Sequence, residues 1–515
     1  MGLFARRQTP FTILLFSILA AGQGCGAAKL SEPGDGGGGS GGVNAGTGGA
    51  SAGTGGASAG ASGESAGTFG AGGTHGGAGA GGIAMGPMCT TLPALGGRTG
   101  AAGTGGANVV VGGTGGANSG AGGMGGANAG AAEIGGANAG GPYGPADAKV
   151  SLLASVNYTW GSVPGALGVG DLNGDGKDDL VVAIGIQNGG VGVFLNKGDG
   201  TFAAPQNLAA AADAQTYTVT LGDLNDDGRT DLAVLTLPTQ ISNGGVSVLL
   251  NKGDGTFTDP VFYTAVSEIY SVALGDLNGD GKPDLAVAYD DGGDATGAAV
   301  FLNNGNGTFA AAVNYATAWR PVSVAIGDLN GDGKADLVAV SYISQGAQGN
   351  VSVLLNNGDG TFGAAAFYPA GDFLGFVTLA DLNRDGKADL VITDAYFSVM
   401  VLLNNGNGTF APPVTYSLDT GPLTVAVGDL DGDGSPDLAL TNPLASGAGW
   451  IGGNVAVLVN DGNGTFGAPA YYPEEGAYGP IAIADLNGDG KADLVVRNMP
   501  SNCAQSLSVF LNDSR

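Results

Sequence analysis

Histidine and cysteine are nearly absent from this chain. Its 515 residues hold one His, His75, and three Cys, at positions 25, 89 and 503. Past residue 148 there is no His and only Cys503, which excludes the ordinary Ser-His and Cys-His nucleophile arrangements there. Glutamate is scarce too. Glu268, Glu474 and Glu475 are the only ones in that stretch, so hydrolysis by paired carboxylates stays open but poorly supplied. Basic residues number 17 against 45 acidic ones, a net charge of −28, and no basic patch suited to nucleic acid is present. Long apolar runs are missing as well: the run over 11–21 falls short of the roughly 20 residues a membrane-spanning helix needs.

Glycine is abundant and unevenly placed. Of the 104 glycines, 45 crowd into the 111 residues from Ser31 to Gly141, among Ala, Ser, Thr and Asn. The chain therefore divides into a leader (1–25), a spacer (26–148) and a folded region (149–515). The leader has the three-part form of an export signal, with Arg6 and Arg7, the apolar run, then small residues. Its end, Leu19-Ala-Ala-Gly-Gln-Gly-Cys25, resembles a bacterial lipoprotein cleavage site, with Gly22 where that pattern usually has an aliphatic residue. The resemblance implies lipidation of Cys25, with a plain secretory signal as the alternative. The spacer repeats Gly-Thr-Gly-Gly-Ala-Asn and carries too few large apolar groups to offset the entropy of ordering it. It is expected to be disordered, with a root-mean-square reach of roughly 60 Å, and His75 is read as a solvated linker residue. Cys89 and Cys503 would be left to pair, or to remain as thiols, in an oxidising compartment.

The folded region is built on a repeat. A decapeptide recurs seven times, starting at Asp171, Asp223, Asp276, Asp328, Asp381, Asp429 and Asp485, at intervals of 52, 53, 52, 53, 48 and 56 residues. Around each copy lie short β-like runs, such as Val322-Ser-Val-Ala-Ile, Asp336-Leu-Val-Ala-Val and Val351-Ser-Val-Leu-Leu. A glycine turn follows, as in Asn356-Asn-Gly-Asp-Gly-Thr-Phe362, leading to a fourth strand. Four antiparallel strands per unit, repeated seven times, predict an all-β, seven-bladed β-propeller. The last unit lacks its Gly-Thr-Phe strand, and Lys149 to Tyr158 is expected to supply it from the other end of the chain. Tyr158, Tyr263, Tyr315, Tyr368, Tyr416 and Tyr472 each stand 13 residues before a motif Asp and are read as packing between blades.

The decapeptide has the spacing of a calcium loop: oxygen donors at positions 1, 3, 5 and 9, a backbone carbonyl at 7, and glycine at 6 for the turn. An EF-hand would need an acid at position 12, where the chain has only Val, Ala, Ile or Leu, so the site is of the strand-loop-strand kind. The seven copies hold 24 of the 45 acidic residues. Up to seven calcium ions would bring the formal charge from −28 to −14.

These motifs resemble the FG-GAP or VCBS repeats of integrin α-subunit propellers and of many bacterial surface proteins. Phe466-Gly-Ala-Pro469 approximates the sequence that the name abbreviates. The resemblance implies the following ligands. In the first two loops they are Asp171, Asn173, Asp175 and Asp179 with the Lys177 carbonyl, then Asp223, Asn225, Asp227 and Asp231 with that of Arg229. The third and fourth have Asp276, Asn278, Asp280 and Asp284 with Lys282, and Asp328, Asn330, Asp332 and Asp336 with Lys334. The fifth has Asp381, Asn383, Asp385 and Asp389 with Lys387, and the sixth Asp429, Asp431, Asp433 and Asp437 with Ser435. The seventh has Asp485, Asn487, Asp489 and Asp493 with Lys491. Relatives of this architecture include adhesion receptors, lectins and ancillary domains of secreted enzymes, so the implied function is calcium-dependent binding by a monomeric propeller. An ancillary or catalytic propeller of a carbohydrate-active enzyme is the alternative.

Strand parity selects the ligand face. Calcium loops and Gly-Thr-Phe hairpins share one face and are monotonous in sequence. Connections from second to third strands, and between blades, share the other face and vary. They carry the candidate ligand residues Trp160, Trp319, Arg320, Tyr396, Trp450 and Arg497, along with Phe373 and Tyr478. The expected ligand is a carbohydrate or a protein, with no nucleic acid and no membrane contact except through a lipid on Cys25.

Overall fold

The computed structural model describes residues 149–159, 164–184, 190–210, 215–237, 244–264, 268–290, 296–342, 349–371, 373–446, 449–474, 476–498 and 506–514. The leader, the spacer, Cys25, Cys89, Cys503 and Trp160 lie outside them.

The described chain forms seven four-stranded antiparallel sheets. Blade 4 shows the plan. Its inner strand Pro321–Gly327 runs into the decapeptide, and Asp336–Ser341 returns from it. Asn350–Leu354 and the outer strand Ala366–Pro369 follow, joined by the glycine hairpin. Second and third strands are Val-, Leu- and Ala-rich and buried on both faces, as in Asp336–Ser341, where all six residues are buried, because each sheet is sandwiched between two others. Outer strands expose their first two residues. The core is accordingly divided into seven layers, each drawn from two neighbouring blades: Ala286, Ala288 and Val300 of blade 3, for example, meet Val324, Leu337 and Leu354 of blade 4.

Inter-blade packing explains the periodic tyrosines. Five of the six meet the hairpin Phe of the next blade edge-on, in the pairs Tyr158–Phe202, Tyr263–Phe309, Tyr315–Phe362, Tyr368–Phe410 and Tyr416–Phe466, with ring centroids 5.1 to 5.7 Å apart. Such edge-to-face pairs add about 0.5–1.5 kcal/mol each beyond the area they bury.

The ring closes with the first and last described strands in one blade. Val156–Thr159 pairs with Ser506–Phe510 as the outer strand of blade 7. Just before it, Val150-Ser151-Leu152 takes the place of the missing Gly-Thr-Phe. Leu152 bridges Asn512 as Phe362 bridges Asn356, and the Tyr472 hydroxyl donates to the Val150 carbonyl at 2.6 Å, as that of Tyr368 does to Gly408 at 2.9 Å.

One expected loop is something else. In blade 6 the variable connection Thr441 to Asn454 continues as paired strand, with Asp437–Ser446 and Gly449–Leu458 in register up to Ser446 opposite Gly449. Pairing lets the backbone amides and carbonyls of this segment bond to one another, with one register shift between Leu444 and Ala445.

Candidate metal loops and ligand face

Each decapeptide folds as a tight loop around its first aspartate. In the first copy the Asp171 Oδ1 accepts from the amides of Asn173, Gly174 and Asp175 at 2.7 to 3.2 Å, and Oδ2 from Gly176 at 2.9 Å. Positions 4 and 6 take positive φ, as at Gly174 (76°) and Gly176 (79°). The same turn holds Asp226 (62°) and Arg384 (59°), the non-glycine residues at position 4. The loop thus draws the oxygens of positions 1, 3 and 5 toward one another.

Position 9 differs. Asp179, Asp231, Asp284, Asp336, Asp389, Asp437 and Asp493 are all 0% exposed. In each, Oδ2 accepts from the amide of the position-2 Leu and Oδ1 from the first Asn of the hairpin, as in Leu172 to Asp179 (3.0 Å) and Asn196 to Asp179 (2.7 Å). Burial pushes the carboxyls of Asp179, Asp231, Asp437 and Asp493 up to about 6, with those two amides opposing it.

The hairpin Asn is a residue that the sequence pattern hid inside a turn. Asn356 Nδ2 donates to the carbonyl of Ala335 in its own blade and to that of Leu277 in the preceding one, both at 2.7 Å. The arrangement recurs around the ring at Asn196, Asn251, Asn303, Asn404, Asn460 and Asn512, reaching to Leu486, Leu172, Leu224, Leu329, Leu382 and Leu430. These bonds staple neighbouring decapeptide loops together and place hairpins and decapeptide loops on one face, as strand parity requires.

The loops are not equal. In five of them the position-7 side chain leans back on the position-5 carboxylate: Lys177–Asp175 (3.2 Å), Arg229–Asp227 (3.5 Å), Lys282–Asp280 (3.8 Å), Lys334–Asp332 (3.5 Å) and Lys387–Asp385 (2.9 Å). The sixth has Ser435 there and Asp431 where the others have Asn. Its Asp429, Asp431 and Asp433 offer carboxylate oxygens within 4.8 Å of one another, the one such acidic group among the described residues. Hard oxygen donors in this number suit a divalent cation such as calcium. A pocket of about 350 Å³ opens beside this loop, lined by Phe376, Leu379, Val425, Val427, Asp429 and Ile483.

On the variable face the expected residues separate. Trp319 is 51% exposed and Tyr396 46%, beside Phe397 at 52%. Arg320 lies over the Trp319 ring at 5.5 Å and bonds through Nε to Asp290 at 3.0 Å. Its carbonyl accepts from the amide of Tyr342, whose ring meets Phe373, which in turn meets Tyr396 at 4.2 Å. Blades 3, 4 and 5 thus share one aromatic tract. Both Arg320 (57°) and Phe397 (66°) hold positive φ, costly for bulky residues and concentrated at functional positions. Phe373 and Tyr478, expected on the surface, are instead buried, at 1% and 3%: each fills the gap where an inner strand enters its blade. Arg497 is only partly exposed, with its Nε sealed from solvent. Trp450 lies in the third strand of blade 6, opposite Ala445, and its side chain is outside the described set.

A family model described as FG-GAP-like repeat matches residues 171–234, 236–287, 276–339, 340–392, 381–440 and 446–496. Integrin alpha-8 of Gallus gallus is 30% identical over 156 residues, covering 27% of this chain and 15% of the relative. That of Mus musculus is 30% identical over 176 residues, covering 31% and 17%. The match thus spans under a fifth of these curated relatives. Among solved structures, BBS1N in complex with ARL6DN, soaked with mercury, is similar with a TM-score of 0.46 and 12% identity over 71% of this chain and 98% of that one.

Proposed function

The chain belongs to the FG-GAP-like repeat family, and on that premise we propose that it is a calcium-binding cell-surface or secreted binding protein. Residues 1–25 direct export, Cys25 carries a lipid, and 26–148 hold the monomeric propeller off the membrane. Calcium, at up to seven loops, fixes the blade ends, and the ligand, a carbohydrate or a protein, docks on the variable face.

The observation that supports this most is where exposed apolar side chains fall. Among the described residues, Val261, Phe262, Val313, Phe367 and Val414 sit on outer strands, and Leu153 and Leu355 beside hairpins. Trp319, Tyr396 and Phe397 are the large exposed ones on the variable face. Flat rings beside a guanidinium held by Asp290 suit the apolar face and hydroxyls of a sugar, and equally an anchoring side chain of a protein. The pocket beside Asp429 favours a second reading, in which a ligand bridges to the sixth metal ion.

A glycan array probed with and without calcium tests the assignment. Replacing Trp319 and Arg320 together by Ala should weaken binding by about 2 kcal/mol or more, some thirtyfold, and leave calcium-dependent melting intact. Binding that survives this change but is lost in Asp431→Asn would move the ligand to the metal face.

A further inference from the structure

Arg497 stands where no other blade carries a charge. It is the fourth residue after the position-9 aspartate, and the matching residues elsewhere are Ala183, Leu235, Ala288, Val340, Thr393 and Thr441, all 0% exposed. Val495, two residues earlier and so on the same side of the strand, packs in the layer between blades 7 and 1. Arg497 enters the next tier of that layer, toward the variable face. The inner strand makes room at Gly479, in the irregular register between Ala477 and Ile481, where φ is 111° and a Cβ would lie 3.1 Å from Nη1.

No carboxylate among the described residues pairs with this guanidinium. Its Nε is sealed and donates to nothing, and its electrostatic neighbours are the phenols of Tyr478 and Tyr217. Burial pushes the group down to about 10, which leaves it a cation at neutral pH. By contrast, the partly buried Arg320 has Asp290. A desolvated cation with no counter-ion among the described residues is a costly group for a fold to keep, and six sibling blades show that the architecture does not need it. The residue also keeps partial exposure, so an anion can reach it.

We propose that Arg497 is a carboxylate-binding subsite of the variable face that, on the carbohydrate reading of that face, takes a terminal sugar acid. A guanidinium fork matches a carboxylate in two parallel bonds. A chain with a net charge of −28 repels polyanions, which favours one carboxylate on an otherwise neutral ring. This subsite rests on the reading of the variable face as the ligand face, yet it shares no residue with the Trp319 tract.

The test is thermal melting of the full chain in saturating calcium at constant ionic strength, with glucuronate, glucose or N-acetyl-aspartate amide added at millimolar concentration. Glucuronate should raise the wild-type melting temperature by a few degrees and glucose should not. Arg497→Leu, carrying the residue of blade 2, should melt above the wild type without added anion and lose the glucuronate shift. Arg497→Met should lose that shift as well. The shift should persist when Trp319 and Arg320 are both Ala, even if the tract proves irrelevant. Equal glucuronate shifts in wild type and both Arg497 variants, or none in the wild type, would overturn the proposal. So would a response to the aspartate amide alone, which would assign Arg497 to a protein partner.

Discussion

In five of the acidic loops a lysine or arginine at position 7 neutralises the position-5 carboxylate, so a divalent ion entering there would displace a charge already in place. The sixth loop has no such cation of its own and one more carboxylate. Its cations come from outside the loop, Lys149 at 3.8 Å from Asp431 and Arg384 at 3.7 Å from Asp433, and they face four carboxylates. Affinity in oxygen-ligand loops follows ligand charge, so the sixth loop should fill first. Asp431→Asn should weaken the tightest step of a calorimetric calcium titration on the order of tenfold, while Asp332→Asn leaves that step unchanged. The opposite order would show that local charge does not rank the loops. At this scale the sequence was only partly legible. The donor pattern at 1, 3, 5 and 9 stands in the letters, but the side-chain role of Lys177 and the inter-blade reach of Asn196 depend on contacts across strands and blades. Arg497 was readable by aligning the seven units on their position-9 Asp, where it alone breaks a column of buried neutral residues.

Closure of the ring depends on a short N-terminal segment doing what a hairpin does elsewhere. The absence of a seventh Gly-Thr-Phe announced the closing strand, because six copies set the expectation. Its substitute was not legible: Val150-Ser151-Leu152 shares with Gly-Thr-Phe only a central hydroxyl residue, and its equivalence rests on backbone pairing with Asp513 and Leu511. Leu152 is 0% exposed in the layer between blades 6 and 7, with Tyr472 and Phe510. Leu152→Asp would bury an unpaired carboxylate and open blade 7. We expect a loss of about 3 kcal/mol or more, read as a lower melting temperature, with faster proteolysis at the N-terminal strand. Tyr472→Phe, which forfeits the one bond to Val150, should cost about 1 kcal/mol. Melting of Leu152→Asp indistinguishable from wild type would show that the ring closes without this segment.

For the whole molecule the face that carries the acidic loops is an electrostatic spring. Seven buried position-9 carboxylates, each raised by desolvation, sit beneath loops rich in further aspartates. A carboxyl raised in the folded state binds more protons than the unfolded chain between the unfolded value near 4 and the folded value near 6, so metal-free stability falls as pH rises through that window. Calcium reverses the order, since protons compete with it for the same oxygens. Melting of the full chain, recorded at pH 5 and pH 7.5 in excess chelator and again in millimolar calcium, bears on the central claim most directly. The calcium-loaded propeller should melt higher at pH 7.5 than at pH 5, and the chelated protein lower at pH 7.5 than at pH 5. Melting at pH 7.5 that is the same with chelator as with calcium would contradict the assignment of these loops to a metal.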